Sequence, residues 1–132
     1  MLKIRHAQMD QLQEQVVEKN FVRRVIEFVH AEFPQDIAKY PEERWQPMVV
    51  NGLSRARRYG ISYEASSAAF VALMFHHAPN FDEYAPIHAI LTDTEVPPDA
   101  RINLLDDCTL DDDWAVVQAR ADLDAWSIYF GA

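Results

Sequence analysis

From Ala65 to Phe81 the chain carries no Asp, Glu, Lys or Arg, although such residues make up 25% of it. Within this run apolar side chains fall on every face of a helical projection. Ala65, Ala68, Ala69, Ala72 and Ser66 are small enough to admit neighbouring helices, and Phe70, Leu73, Met74 and Phe75 fill the space between them. A helix that is apolar all round is buried all round. At about fifteen residues it is too short to span a bilayer, so its solvent must be other protein. The stretch Ile61 to Phe81 therefore predicts a central helix. Ser62 is placed to cap it, Glu64 lies in the first turn where the helix dipole favours a carboxylate, and Pro79 closes the far end.

A chain of 132 residues fits one domain, 1–132, and a domain of that size buries roughly two-thirds of its unfolded surface without metal or disulfide staples. The single cysteine, Cys108, has no internal partner, which fits a reducing compartment and would also fit a cysteine-poor exported protein. The first fifteen residues lack an apolar run of signal-peptide length and no later segment reads as a membrane span, so a cytoplasmic location is expected. Only 3 glycines and few Val/Ile/Thr alternations leave helices as the expected regular element. The expected fold is all-α, a compact bundle of about six helices around the buried central one.

Charge divides the chain. Residues 1–60 balance at +2 and residues 61–132 at −11, which together give the net −9. The second half would repel phosphate backbones and anionic headgroups, so nucleic acid and membrane are poor partners; either a basic protein is a better one, or the acidic surface serves solubility alone.

From about His6 to Phe33 apolar residues recur at three and four, with a phase shift near Asn20 that would suit a bend, and Pro34 ends the run. Pro41, Glu42 and Glu43 open a second helix. Pro47 either starts a new helix or interrupts this one. Beyond it Val49, Leu53 and Ala56 form a stripe, Gly52 allows a close crossing, and Gly60 follows Arg55, Arg57 and Arg58 as a C-cap. After a turn over Asn80 to Tyr84, Pro86 opens a short helix from Ala85 to Leu91, and Pro97, Pro98 and Asp99 open another through Leu105. Thr109, Leu110, Asp111 and Asp112 read as a T-x-x-D cap for a last helix from Leu110 to Phe130.

That last helix has two apolar lines, Trp114, Val117 and Ala121 on one, and Val116, Ala119, Leu123, Trp126 and Phe130 on the other. Packing on one neighbour needs one line. Either both are buried in a groove between two helices, or one is free to hold a partner. The expectation is that Trp126 and Phe130 face outward, since a helix near the chain's end has fewer later elements to cover it. Trp114, Trp126 and Phe130, with Asp122 and Asp124 as polar rim, are then the candidate partner-binding residues.

No constellation announces a reaction. His76 and His77 beside Asp82 and Glu83, with His88 downstream, suggest a metal, but adjacent helical histidines diverge by about 100° and no H-x-x-x-H spacing occurs. One of the two is expected to close the central helix, hydrogen-bonded to a carbonyl, and the other to be exposed. The aspartates from Asp106 to Asp113 lack the glycine and terminal glutamate of a calcium loop. Those aspartates should also raise the Cys108 thiol pKa, which makes it a poor nucleophile. Arg55, Arg57 and Arg58 are expected to complement the helix dipole and to pair with carboxylates of this same chain rather than with nucleic acid. No catalytic residue, metal or cofactor is assigned.

The succession F-V-R-R-V-I-E-F-V-H-A-E-F-P (Phe21 to Pro34), G-L-S-R-A-R-R-Y-G-I (Gly52 to Ile61), F-V-A-L-M-F (Phe70 to Phe75) and P-N-F-D (Pro79 to Asp82) resembles a group of small helical bacterial proteins. Their genes lie beside those for type VI secretion spike proteins, effector adaptors and PAAR-tipped effectors. The similarity covers about residues 5–105 and leaves out the last helix. It implies a non-catalytic accessory protein, a chaperone, co-chaperone or adaptor, that joins an effector or its adaptor before loading onto the spike. An immunity protein that neutralises a neighbouring toxin is the nearest alternative. A small metal-dependent enzyme or sensor using His76, His77 and His88 is the rival of a different class.

Overall fold

The computed structural model describes residues 19–126, and every regular element among them is helical. Helix α1 occupies residues 19–32 of the described chain. It is followed by α2 (Pro34–Ile37), α3 (Glu42–Arg58), α4 (Glu64–His76), α5 (Ala85–Leu91), α6 (Pro98–Cys108) and α7 (Asp111–Ala119). Two 3-10 turns, Phe81–Glu83 and Leu123–Trp126, complete the list. The protein is an all-α bundle, as the sequence predicts. The part of the expected first helix that precedes Lys19, the Cys108 thiol and Phe130 lie outside the described residues.

Helix α1 puts Val22, Val25 and Val29 into the core with Ile26 and Phe33 beside them, a spacing of three and four that gives one inward stripe. Pro34 ends α1 and opens α2 at once, because a proline suits a first helical position where the lost N–H has no helical acceptor. Helix α3 runs unbroken through Pro47, so that residue interrupts one helix rather than starting another. It sits one turn inside the helix, where only the carbonyl of Glu43 loses a donor.

The end of α3 is a complete Schellman motif. Gly60 takes φ 83°, its N–H donates to Arg57 O at 2.9 Å, and the Ile61 N–H donates to Ala56 O at 3.2 Å. Ile61 and Ala56 are both fully buried, the apolar contact that accompanies this motif. Gly52 lets α3 and α4 cross closely, since a Cβ there would lie 2.9 Å from Val71 Cγ2 and 3.1 Å from Met74 Sδ.

Helix α4 is central, packed against α2, α3 and α6, with Ser67, Phe70, Val71, Ala72, Met74 and Phe75 buried. Its start differs from the expected one. Tyr63 is the N-cap, and Ser62 makes no side-chain cap. The carboxylate of Asp99, at the start of α6, accepts the Ser62 and Tyr63 N–H groups at 3.0 and 2.7 Å and the Ser66 hydroxyl. Partial burial pushes the Asp99 pKa up, and the Ser66, Tyr63 and Ser62 hydrogen bonds outweigh it, so the carboxyl stays below its usual range. A cap supplied from another helix cannot be seen in local sequence.

The last helix is also corrected. It begins after Leu110, whose N–H is accepted by Asp113 Oδ2 at 2.8 Å, and Thr109 instead donates its hydroxyl to Leu105 O and accepts from Trp114 Nε1 at 3.1 Å. It ends at Ala119 rather than Phe130, and the chain re-forms as the 3-10 turn that delivers Trp126. The two apolar lines of one long helix therefore do not exist as such. Trp126 is 5% exposed, so its expected outward orientation is wrong. Broken from the α7 axis at Arg120, its ring packs inward on Phe75 and Tyr40.

Buried polar groups tie the helices together. Arg55 contacts Asp82 Oδ1 at 3.0 Å and Glu83 Oε2 at 3.1 Å, and the Tyr59 hydroxyl donates to Asp82 Oδ2 at 2.7 Å. Burial, then that hydrogen bond, raises the Tyr59 pKa well above its ordinary value. The expected intramolecular pairing thus holds for Arg55. Arg101, also buried, donates to the carbonyls of Tyr59 at 3.1 Å, Leu91 at 2.8 Å and Val96 at 3.0 Å. Tyr59 and Leu91 close α3 and α5, so one guanidinium satisfies orphan carbonyls at two negative dipole ends.

Candidate functional site

The aromatic ring of Trp126 is the wall on which a surface groove is built. Its centroid lies 4.8 Å from that of Phe75 on α4 and 6.2 Å from that of Tyr40, which precedes α3. Tyr40 meets Phe75 edge-on at 6.0 Å, closing a three-ring cluster. Tyr40 is held because Trp45 Nε1 donates to the carbonyls of Ile37 and Tyr40, both at 3.0 Å, pinning the α2–α3 turn. The backbone of the 3-10 turn is held in turn by Asn51, whose buried amide donates to the carbonyls of Ala125 and Trp126. Among the described residues, buried Asn51 Oδ1 and Trp126 Nε1 find no hydrogen-bond partner.

Over this cluster opens a hollow of about 600 Å³ lined by Tyr40, Arg44, Pro47, Met48, Leu123, Asp124 and Trp126. A second hollow of about 630 Å³ adjoins it and shares Tyr40 and Leu123. Leu123 stands on the ridge between them, 60% exposed. The rim is polar, with Arg44 and Asp124 beside the first hollow and Asp36 and Lys39 beside the second.

The histidine pair lines the second hollow. His76 stacks on Phe33 at 4.2 Å and its Nδ1 donates to Asp36 Oδ2 at 2.9 Å. His77 stacks on Trp114 at 4.0 Å, and its Nδ1 accepts from Gln118 Nε2 at 3.1 Å. Burial, then the neighbouring His76, lowers the His77 pKa to about 4, against a smaller opposing pull from Asp36. His77 is therefore a neutral ring near neutrality. The two rings take different partners, yet they do not diverge as adjacent side chains inside a helix would: their centroids lie 4.4 Å apart, with His77 at the C-cap where α4 ends. His76, the last residue of α4, is the more exposed of the two. It bonds a side chain where a carbonyl was expected. His88 lies elsewhere, beside Tyr59 and Asp82. Among the described residues no three His, Cys, Asp or Glu side chains gather as a metal-binding group.

Of the residues expected to bind a partner, the fold gathers Trp126 and Asp124 in the first hollow. Trp114 lies behind the second, stacked on His77. Asp122 is spent on the turn: its N–H donates to Asn80 Oδ1 at 2.9 Å and its Oδ1 accepts the Asp124 N–H at 3.0 Å. Tyr40, Arg44, Pro47 and Met48 were not foreseen in this site. The available signal was an aromatic residue in a turn just before a Pro-opened helix, which does not tell where the turn points.

The fold and groove define a class, an all-α bundle with an aromatic-walled groove and a polar rim. Comparison of the chain with protein-family models, with curated proteins and with solved structures gives no match. No described helix is long and apolar enough to cross a membrane.

Proposed function

We propose that this protein is a non-catalytic accessory factor, a chaperone or adaptor for a type VI secretion effector, that grips its partner at the groove between α3 and the Leu123–Trp126 turn. The observation that carries the reading is the ridge of Leu123, an exposed aliphatic side chain between two hollows with rigid aromatic walls. Preformed hollows of this kind accept apolar side chains of a partner at little ordering cost, and rim charges set orientation and encounter rate. The sequence resemblance supplies the class of partner. The groove supports the choice of this surface over others. A basic partner segment suits the −11 balance of residues 61–132.

A pull-down of tagged full-length protein from its host, read by mass spectrometry beside a Leu123→Glu variant, tests this. Effector, adaptor or spike proteins retained by the wild type and lost by the variant are expected. A bound toxin would point to an immunity role. Identical capture by both proteins would remove the groove from the reading, and stoichiometric metal with hydrolytic or redox activity would overturn the class.

A further inference from the structure

A second apolar surface lies on a different side of the sequence from the groove. Between α1 and the first turns of α4 runs an open furrow of about 520 Å³ lined by Phe21, Val25, Phe28, Ala65 and Ala68. Phe28 is 41% exposed, high for a phenylalanine on a helix whose other face supplies the core. Two further residues line it, one from each bank. Arg24 on α1 and Glu64 on α4 meet across it at 2.8 Å, their side chains 56% and 55% exposed, and the Arg24 guanidinium lies 5.7 Å from the Phe21 ring centroid.

We infer that this face is a self-association surface, which pairs with the same face of a second copy of this chain. A two-fold interface brings one patch against itself, so the patch must be its own complement: each residue that meets another must be met by it in return. One cation and one carboxylate on opposite banks of an apolar furrow satisfy that condition. A two-fold axis running between Arg24 and Glu64 sets each against its oppositely charged counterpart in the second copy, so that the ion pair made within one chain at 2.8 Å is shared between the two. The small side chains of Ala65 and Ala68 leave room for the partner's Phe28.

Charge also selects the occupant. On the described part of α1 and at the head of α4, Lys19, Arg23 and Arg24 balance Glu27, Glu32 and Glu64. Every Asp and Glu of the described second half other than Glu64 lies outside the furrow's lining. A strongly basic or strongly acidic partner would find half of the furrow's charge against it, whereas a copy of the same neutral face finds none.

Sedimentation velocity of the purified full chain over a dilution series, with melting temperature recorded for each variant, tests the assignment. The wild type should dimerise reversibly. Phe28→Glu should stay monomeric with an unchanged melt. Arg24→Glu and Glu64→Arg should each weaken self-association by about tenfold or more through like-charge contact. An equimolar mixture of those two variants should recover a heterodimer, because each then presents the complement of the other, and loss of folding in either variant would be incompatible with that recovery. A wild type monomeric at every concentration, a dimer indifferent to Phe28→Glu, or a mixture that fails to pair would each overturn the proposal. So would a foreign protein captured through Phe28 by a chain that is otherwise monomeric.

Discussion

The guanidinium of Arg55 lies 3.0 Å from Asp82 Oδ1, with the two side chains only 7% and 5% exposed. The pair joins the last turns of α3 to the 3-10 turn that follows α4, and so fixes the chain's course out of the central helix. Glu83 and the Tyr59 hydroxyl complete its hydrogen bonding. Removing one partner strands a buried charge. Arg55→Met is expected to cost about 3–5 kcal/mol, and Asp82→Asn a smaller share of it, because the amide oxygen still accepts from Arg55 while its NH2 donates to the Tyr59 hydroxyl oxygen. Urea unfolding of the single and double variants measures the coupling, and additive losses would show that the two groups act independently.

Trp126→Ala should destabilise the protein by about 3–5 kcal/mol, a drop in melting temperature of roughly ten degrees or more. The reason is that the ring packs on Phe75 and Tyr40 within the core. Leu123→Glu alters a side chain already 60% exposed and should leave the melt within a few degrees while abolishing partner capture. Calorimetry of the two variants distinguishes wall from ridge, and equal losses would mean that Leu123 also supports the fold.

Acid should loosen the α4–α7 contact. His77 titrates at about 4 in the folded protein and near its ordinary 6.5 when unfolded, so between these values the unfolded chain binds more protons. The stabilisation is complete above about pH 6.5 and declines as pH falls towards 4, below which no further change arises from this group. After allowance for solvent around a half-buried ring, the loss is on the order of 1–2 kcal/mol. His77→Phe, which keeps the stack on Trp114, should flatten that limb of the stability–pH curve, and an unaltered curve would assign it to other groups.

Gly52→Ala should cost about 1–3 kcal/mol by pushing α3 away from Val71 and Met74. Gly60→Ala should cost about 1–2 kcal/mol through its left-handed backbone, with added crowding against Pro98. Thermal melts of both check this. A neutral Gly52→Ala would mean that the helices separate at no cost.

Local chemistry was enough to make the helices legible. The uncharged run Ala65 to Phe81 identified the central helix, because an all-round apolar helix has no stable position except among others. Gly60, Pro41 and Pro86 marked ends through backbone constraints that act within a few residues. The spacing of Val22, Val25 and Val29 determined which face of α1 is inward. All of these are short-range effects, and short-range effects are written in consecutive residues.

What the tertiary structure decided was partnership across distance. Asp99 caps α4 from 36 residues away, Arg101 closes two helices at once, and Asn51 holds Ala125 and Trp126 across more than 70 residues. The groove has the same origin. Trp126 continued the apolar period of α7, and period put it on one of two apolar lines without telling which of them faces outward. The helix instead stops at Ala119, and the ring enters the space that Phe75 and Tyr40 leave open. A hydrophobic side chain near a chain end goes wherever apolar surface remains uncovered, and that is a property of the assembled core.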